Sequence, residues 1–104
     1  MANISVVGRI VSDDIELKIS ANNRPYLRFD LAERTGKGAY ARTQYYQVVA
    51  FGAIASQFAK RGLCRGALIS VEGTLELEDY LKRDGWTRDK RLKVIALRWR
   101  YLQP

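Results

Sequence analysis

Glu76, Glu78 and Asp79 crowd into one short stretch, close enough for carboxylate-pair or metal–carboxylate chemistry. No other residues extend that possibility. Histidine is absent, which removes the commonest general base and the usual partner of a nucleophilic serine or cysteine, and in practice excludes a zinc site. Cys64 is the only cysteine, so no intrachain disulfide can form; it is expected to be a buried thiol. Gly36 and Gly38 are too few, and too far from any helix start, for a nucleotide-phosphate loop. Neither catalysis nor a cofactor or metal is expected.

The remaining chemistry is non-covalent and belongs to rings and cations. In "TQYYQVVAFG" (43–52), strand alternation puts Tyr45, Gln47, Val49 and Phe51 on one face and Gln44, Tyr46, Val48 and Ala50 on the other. Each face carries a ring, so one face is expected to meet the core and the other a ligand or a second subunit. The net charge of +7 calls for an acidic partner, nucleic acid before anionic membrane. Residues 81–104 hold eight bases against Asp84 and Asp89, directly after a stretch, 72–79, that carries Glu72, Glu76, Glu78 and Asp79 without a base.

These residues must be positioned by a small domain. A chain of 104 residues supports one core, 1–104 as a single domain. It has no apolar run long enough to span a bilayer and no signal-peptide pattern at "MANISVVGRIVSDD", so a cytoplasmic location is the default. "ISVVGRIV" (4–11) reads as a first strand with Gly8 at a bulge or bend, and "IELKI" (15–19) as its continuation. A turn at 21–24 leads to "PYLRFDLAER" (25–34), which alternates Leu27, Phe29 and Leu31 against Tyr26, Arg28 and Asp30. "TGKGAYAR" (35–42) is a loop, and 43–51 is the next strand.

"GAIASQFAKRG" (52–62) changes period to that of a helix with Ile54, Ala55, Phe58 and Ala59 on one face, Lys60 and Arg61 at its C-terminal end and Gly62 as cap. Alternation returns over 67–80, with Ile69, Val71, Gly73, Leu75 and Leu77 on one side. Asp84-Gly85 signals a tight hairpin within a basic arm. In the last strand (92–102), Ile95, Leu97 and Trp99 form the expected core set. Five short strands with one helix between the third and fourth is the layout of an OB-fold, an all-β, five-stranded Greek-key barrel.

"VVGRI", "TQYYQVVAFGAIASQFAKRG", "ISVEGTLELEDY", the Asp-Gly hairpin and "LKVIALRWRYL", in that order, resemble the bacterial single-stranded DNA-binding protein family over nearly the whole chain. Primosomal replication protein N is a similar tail-less relative. The resemblance implies an OB-fold homo-oligomer, dimer or tetramer, that wraps single-stranded DNA in replication, recombination, repair or conjugative transfer. It places the family's stacking aromatics on Tyr45, Phe51 and Tyr80. Trp86 lies in the hairpin loop that the family uses to follow the strand.

Phosphate contacts are expected from Arg34, Lys37, Arg42, Lys82, Arg83, Arg88, Lys90 and Arg91. Three features depart from the family pattern. Glu76, Glu78 and Asp79 stand where bases are usual and would repel a phosphate, Ala53 replaces a frequent lysine, and the sequence ends at "YLQP" without an acidic tip, so tail-mediated partners are not expected. The competing reading is an OB-fold assembly module of the primosome type, its groove spoiled by those carboxylates and its rings serving an interface.

Overall fold

The computed structural model describes residues 2–103. Its elements are β1 (Ala2–Ile10), β2 (Lys18–Ile19), β3 (Pro25–Thr35), a 3-10 turn (Gly38–Tyr40), β4 (Arg42–Phe51), α1 (Ala53–Arg61), β5 (Leu68–Leu81) and β6 (Arg88–Gln103). The strands run in the order β1-β5-β6-β4-β3-β2, and β1 also pairs with β3. That extra pairing closes β1, β5, β6, β4 and β3 into a ring, the OB-fold expected from the element order.

Closure depends on β1 serving two neighbours. Ala2–Arg9 pair with β5, while Arg9 and Ile10 also pair with Ala32 and Leu31 of β3. At Gly8 the two backbones come so close that any side chain would strike the Ala32 carbonyl. The glycine read as a bend is therefore the point where the ring shuts.

The alternating residues fill the interior as the pattern requires. Val6, Ile10, Leu27, Phe29, Leu31, Tyr46, Val48, Ala50, Ile69, Val71, Val94 and Ala96 form one buried cluster. Tyr46 is the only ring of its face; its hydroxyl donates to Glu33 Oε1 at 3.2 Å. Burial, then the neighbouring Glu33 charge, raises its pKa above the usual tyrosine value. Helix α1 covers one mouth of the barrel with Ala55 and Phe58; Phe58 meets Phe29 edge-on at 5.2 Å and stacks on Trp99 at 4.5 Å. Gly62 ends the helix in the left-handed region and donates its N–H to the Ala59 carbonyl.

Several expectations need correction. Of residues 15–19 only Lys18 and Ile19 are strand, and they pair with β3 instead of continuing β1. Ala59 is exposed on the helix, leaving Ala55 and Phe58 as its buried residues. Cys64 is exposed, in the turn that follows α1. The last strand begins at Arg88, so Arg88, Lys90 and Arg91 belong to the β5–β6 ladder, and the hairpin turn spans four residues between Lys82 and Thr87.

Ile95, Leu97 and Trp99 are not one core set. The β5–β6 register slips where Gly73 opposes Ala96 and Glu72 opposes Arg98, so Leu97 is an extra residue. The bulge moves the inward phase from Val94 and Ala96 to Trp99 and Tyr101, and Leu97 is left 57% exposed. A side chain at Gly73 would collide with the Ile95 carbonyl. Beyond the bulge the hairpin outruns the barrel, so Leu77 has core parity but is 64% exposed.

Candidate nucleic-acid interface

The outward residues of β4 gain their surroundings from register. Antiparallel pairing with β3 sets Tyr45 beside Ala32, Gln47 beside Asp30, Val49 beside Arg28 and Phe51 beside Tyr26. Parallel pairing with β6 sets Gln47 beside Lys93 and Val49 beside Ile95. Across β6, Glu78 opposes Arg91, Glu76 opposes Lys93, and Tyr80 opposes Asp89. One continuous face thus crosses four strands, carrying Tyr26, Tyr45, Phe51 and Tyr80 among Arg28, Arg91 and Lys93.

Two adjoining hollows cut this face, and Gln47 lines both. In the first, Phe51 and Tyr26 stand opposite Lys93 and Glu78, with Val49, only 7% exposed, among the lining residues. The rings of Tyr26 and Phe51 are 6.3 Å apart, and the Arg24 guanidinium lies 5.2 Å from the Phe51 ring centre. Tyr45, Tyr80, Lys90 and Arg91 line the second. Tyr45 is 59% exposed and stands about 20 Å along the strand from Phe51, a span of several nucleotides.

The acidic stretch is not a separate patch. Antiparallel pairing lays it against the basic one: Glu78 Oε2 is 3.1 Å from Lys93 Nζ, its Oε1 is 3.9 Å from Arg91 Nε, and Glu72 is 3.7 Å from Arg98. Asp79 has the opposite parity from Glu76 and Glu78 and opposes Lys90, so only two of the three carboxylates share the outer face. The Arg91 guanidinium also lies over the Tyr80 ring at 4.1 Å, leaving one ring face open. Its Nε is buried without a hydrogen-bond partner. No group of three or more ligating side chains among the described residues could hold a metal ion.

At the hairpin tip, Asp84 Oδ1 accepts the backbone N–H groups of Trp86 at 3.0 Å and Thr87 at 2.8 Å, and Oδ2 accepts the Thr87 hydroxyl. The bonds from Thr87, then that from Trp86, hold the carboxyl below its usual pKa. This turn projects Trp86, 81% exposed, into solvent. Lys82 is 3.6 Å from Asp89. Arg83, Arg88 and Lys90 are exposed and make no ion pair among the described residues.

The predicted cations therefore divide. Arg91 and Lys90 line the hollow beside Tyr45 and Tyr80. Arg34 shares the outward parity of β3 beyond Tyr45, whereas Arg42 has the inward parity of β4 at the barrel rim, and Lys37 precedes the 3-10 turn. Lys82, Arg83 and Arg88 belong to the distal hairpin. Sequence reasoning did not select Tyr26, Arg28, Gln47 or Lys93. The alternation of β3 already put Tyr26 and Arg28 on the outward side, but Lys93 reaches the face only through the parallel β4–β6 pairing, which has no local signature.

A closed five-stranded OB barrel with rings and cations on one outer face defines an oligonucleotide-binding class of protein. Residues 1–102 match the single-strand binding protein family, and the chain belongs to that family. A similar solved structure is the small single-stranded DNA-binding protein from Streptomyces coelicolor, with a TM-score of 0.82 at 21% identity over 97% of this chain and 94% of that one. A search of curated proteins returns no match.

Proposed function

We propose that this chain binds single-stranded DNA with little sequence preference, as part of DNA replication, recombination, repair or conjugative transfer. The observation that carries the reading is the unbroken outer face that brings Tyr26, Tyr45 and Phe51 together with Arg28 and Lys93 on the family's fold. Every base offers a π-face to such rings, and stacking is worth about 1–3 kcal/mol per base whatever the sequence. Tyr45, Phe51 and Tyr80 act as platforms, with Trp86 extending the track along the hairpin. Lys90 and Arg91 meet phosphates beside them; Arg34, Lys37, Arg42, Lys82, Arg83 and Arg88 serve the flanking strand.

The reading includes no catalytic step, and no helix among the described residues is long and apolar enough to cross a membrane. A homo-oligomer is part of the proposal. It is supported by β1, which pairs with β3 only at Arg9 and Ile10 and so leaves its remaining outer edge without a strand partner among the described residues.

Titration of a fluorescent oligo-dT at two salt concentrations tests the function. Binding should be tight at low salt and weaken by the slope of about 0.7 per phosphate neutralised that single strands show. No binding at low salt, together with a stable complex with another protein, would favour the assembly-module reading instead.

A further inference from the structure

The two cations best placed to meet a phosphate between Phe51 and Tyr80 already have an anion. Glu78 is shared by Lys93 at 3.1 Å and Arg91 at 3.9 Å, and the three side chains are 24–37% exposed, so solvent and ligand reach them. Glu78 and Lys93 both line the hollow that holds Phe51 and Tyr26, while Arg91 lines the next one with Tyr45 and Tyr80. A DNA strand stacked on Phe51 and Tyr80 must pass over this triad.

Resting on the single-strand-binding function proposed above, we infer that Glu78 is a built-in competitor for the DNA phosphate. Its carboxylate occupies the place a phosphate oxygen would take between Lys93 and Arg91. It leans toward Lys93 and leaves Arg91 Nε without a hydrogen bond, although that atom is buried. A strand entering the groove displaces the carboxylate, and the displaced charge stays nearby and repels the backbone. Glu78 thereby lowers affinity and flattens its salt dependence, because each new phosphate contact replaces an existing ion pair. Its removal gives two cations to the ligand.

The other paired glutamate of β5 is the control. Glu72 holds Arg98 at 3.7 Å and, six residues along the strand, lies roughly 20 Å from Glu78. The hollows it lines contain none of the four rings of the proposed DNA-binding face.

Wild type, Glu78→Gln and Glu72→Gln are each titrated with fluorescent oligo-dT over a salt series, with oligomeric state and thermal melting checked in parallel. Glu78→Gln should bind about threefold to tenfold tighter at low salt, with a slope steeper by about 0.7 for one additional phosphate or 1.4 for two. Glu72→Gln should match wild type. Adding Lys93→Gln to Glu78→Gln should remove most of the gain. If wild type binds and Glu78→Gln is unchanged or weaker, or if Glu72→Gln gains as much, the competitor role is wrong while the binding function stands. Binding that appears only in Glu78→Gln would support the role in its strongest form. Absence of binding in every variant would overturn the function and the competitor role together.

Discussion

The β3–β4 half of the outer face and the β5–β6 half carry the same kinds of side chain, but their cations are differently engaged. On the first, Tyr26, Tyr45 and Phe51 stand with Arg24 and Arg28, neither of which forms an ion pair among the described residues. On the second, Arg91 and Lys93 share Glu78, Lys82 meets Asp89, and Arg91 covers one face of Tyr80. A cation already paired within the fold has less to offer a phosphate. The hairpin is richest in basic residues, yet the β3–β4 half is the one whose cations are free of ion pairs among the described residues and whose Tyr45 stands well exposed, even though Arg24 lies over Phe51 as Arg91 lies over Tyr80.

The bulge within the β5–β6 half is the place to break the comparison most completely. Gly73→Ala puts a methyl group against the Ile95 carbonyl at the bulge and should cost at least about 2–3 kcal/mol, read as a large fall in melting temperature. An unchanged melt would mean the bulge is not the tight point described. A smaller effect, on binding alone, separates the halves: Tyr45→Ala with Phe51→Ala should weaken oligo-dT binding by tenfold or more, since each ring contributes about 1–3 kcal/mol. Tyr80→Ala should cost only about fivefold, at the lower end of that range, because Arg91 already occupies one ring face. Equal losses at the two places would erase the distinction.

The smallest expected effect belongs to the hairpin tip. Asp84 has a folded-state pKa below its ordinary value, so its three bonds support the turn fully above the usual aspartate pKa near about 4 and are lost as pH falls through the lowered value. Amide signals of Trp86 and Thr87 should hold steady from pH 7 to about 4 and change only in stronger acid, while barrel amides stay put. Changes at these two amides near neutral pH would contradict the assignment.

Local alternation made most of the barrel legible. Leu27, Phe29 and Leu31 and the switch to helical period at 53–61 needed only neighbours in sequence, whereas alternation separated Tyr46, Val48 and Ala50 from Tyr45 and Phe51 without saying which set faces the core. What alternation could not carry was anything set by a distant strand. Leu97 looks like a core residue until the slip opposite Gly73 turns it outward, a matter of β5–β6 register. Tyr80 looked poorly placed beside Glu76, Glu78 and Asp79, because a linear sequence lists charges without their partners. Pairing with β6 supplies Arg91 and Lys93 as their partners, while alternation alone already sets Asp79 on the other face. Cys64 looked like a buried small thiol by residue type, but the turn after α1 leaves it in solvent.

The central claim is that single-stranded DNA lies across the β4 face, and amide and aromatic chemical-shift mapping during titration with unlabelled oligo-dT tests it most directly. The account predicts the largest shifts at Tyr26, Tyr45, Gln47 and Phe51, with Tyr80 and Arg91 following and the residues of α1 unmoved. Shifts confined to α1 and to the strand ends near Trp99 and Tyr101, with the four β3–β4 residues silent, would contradict it.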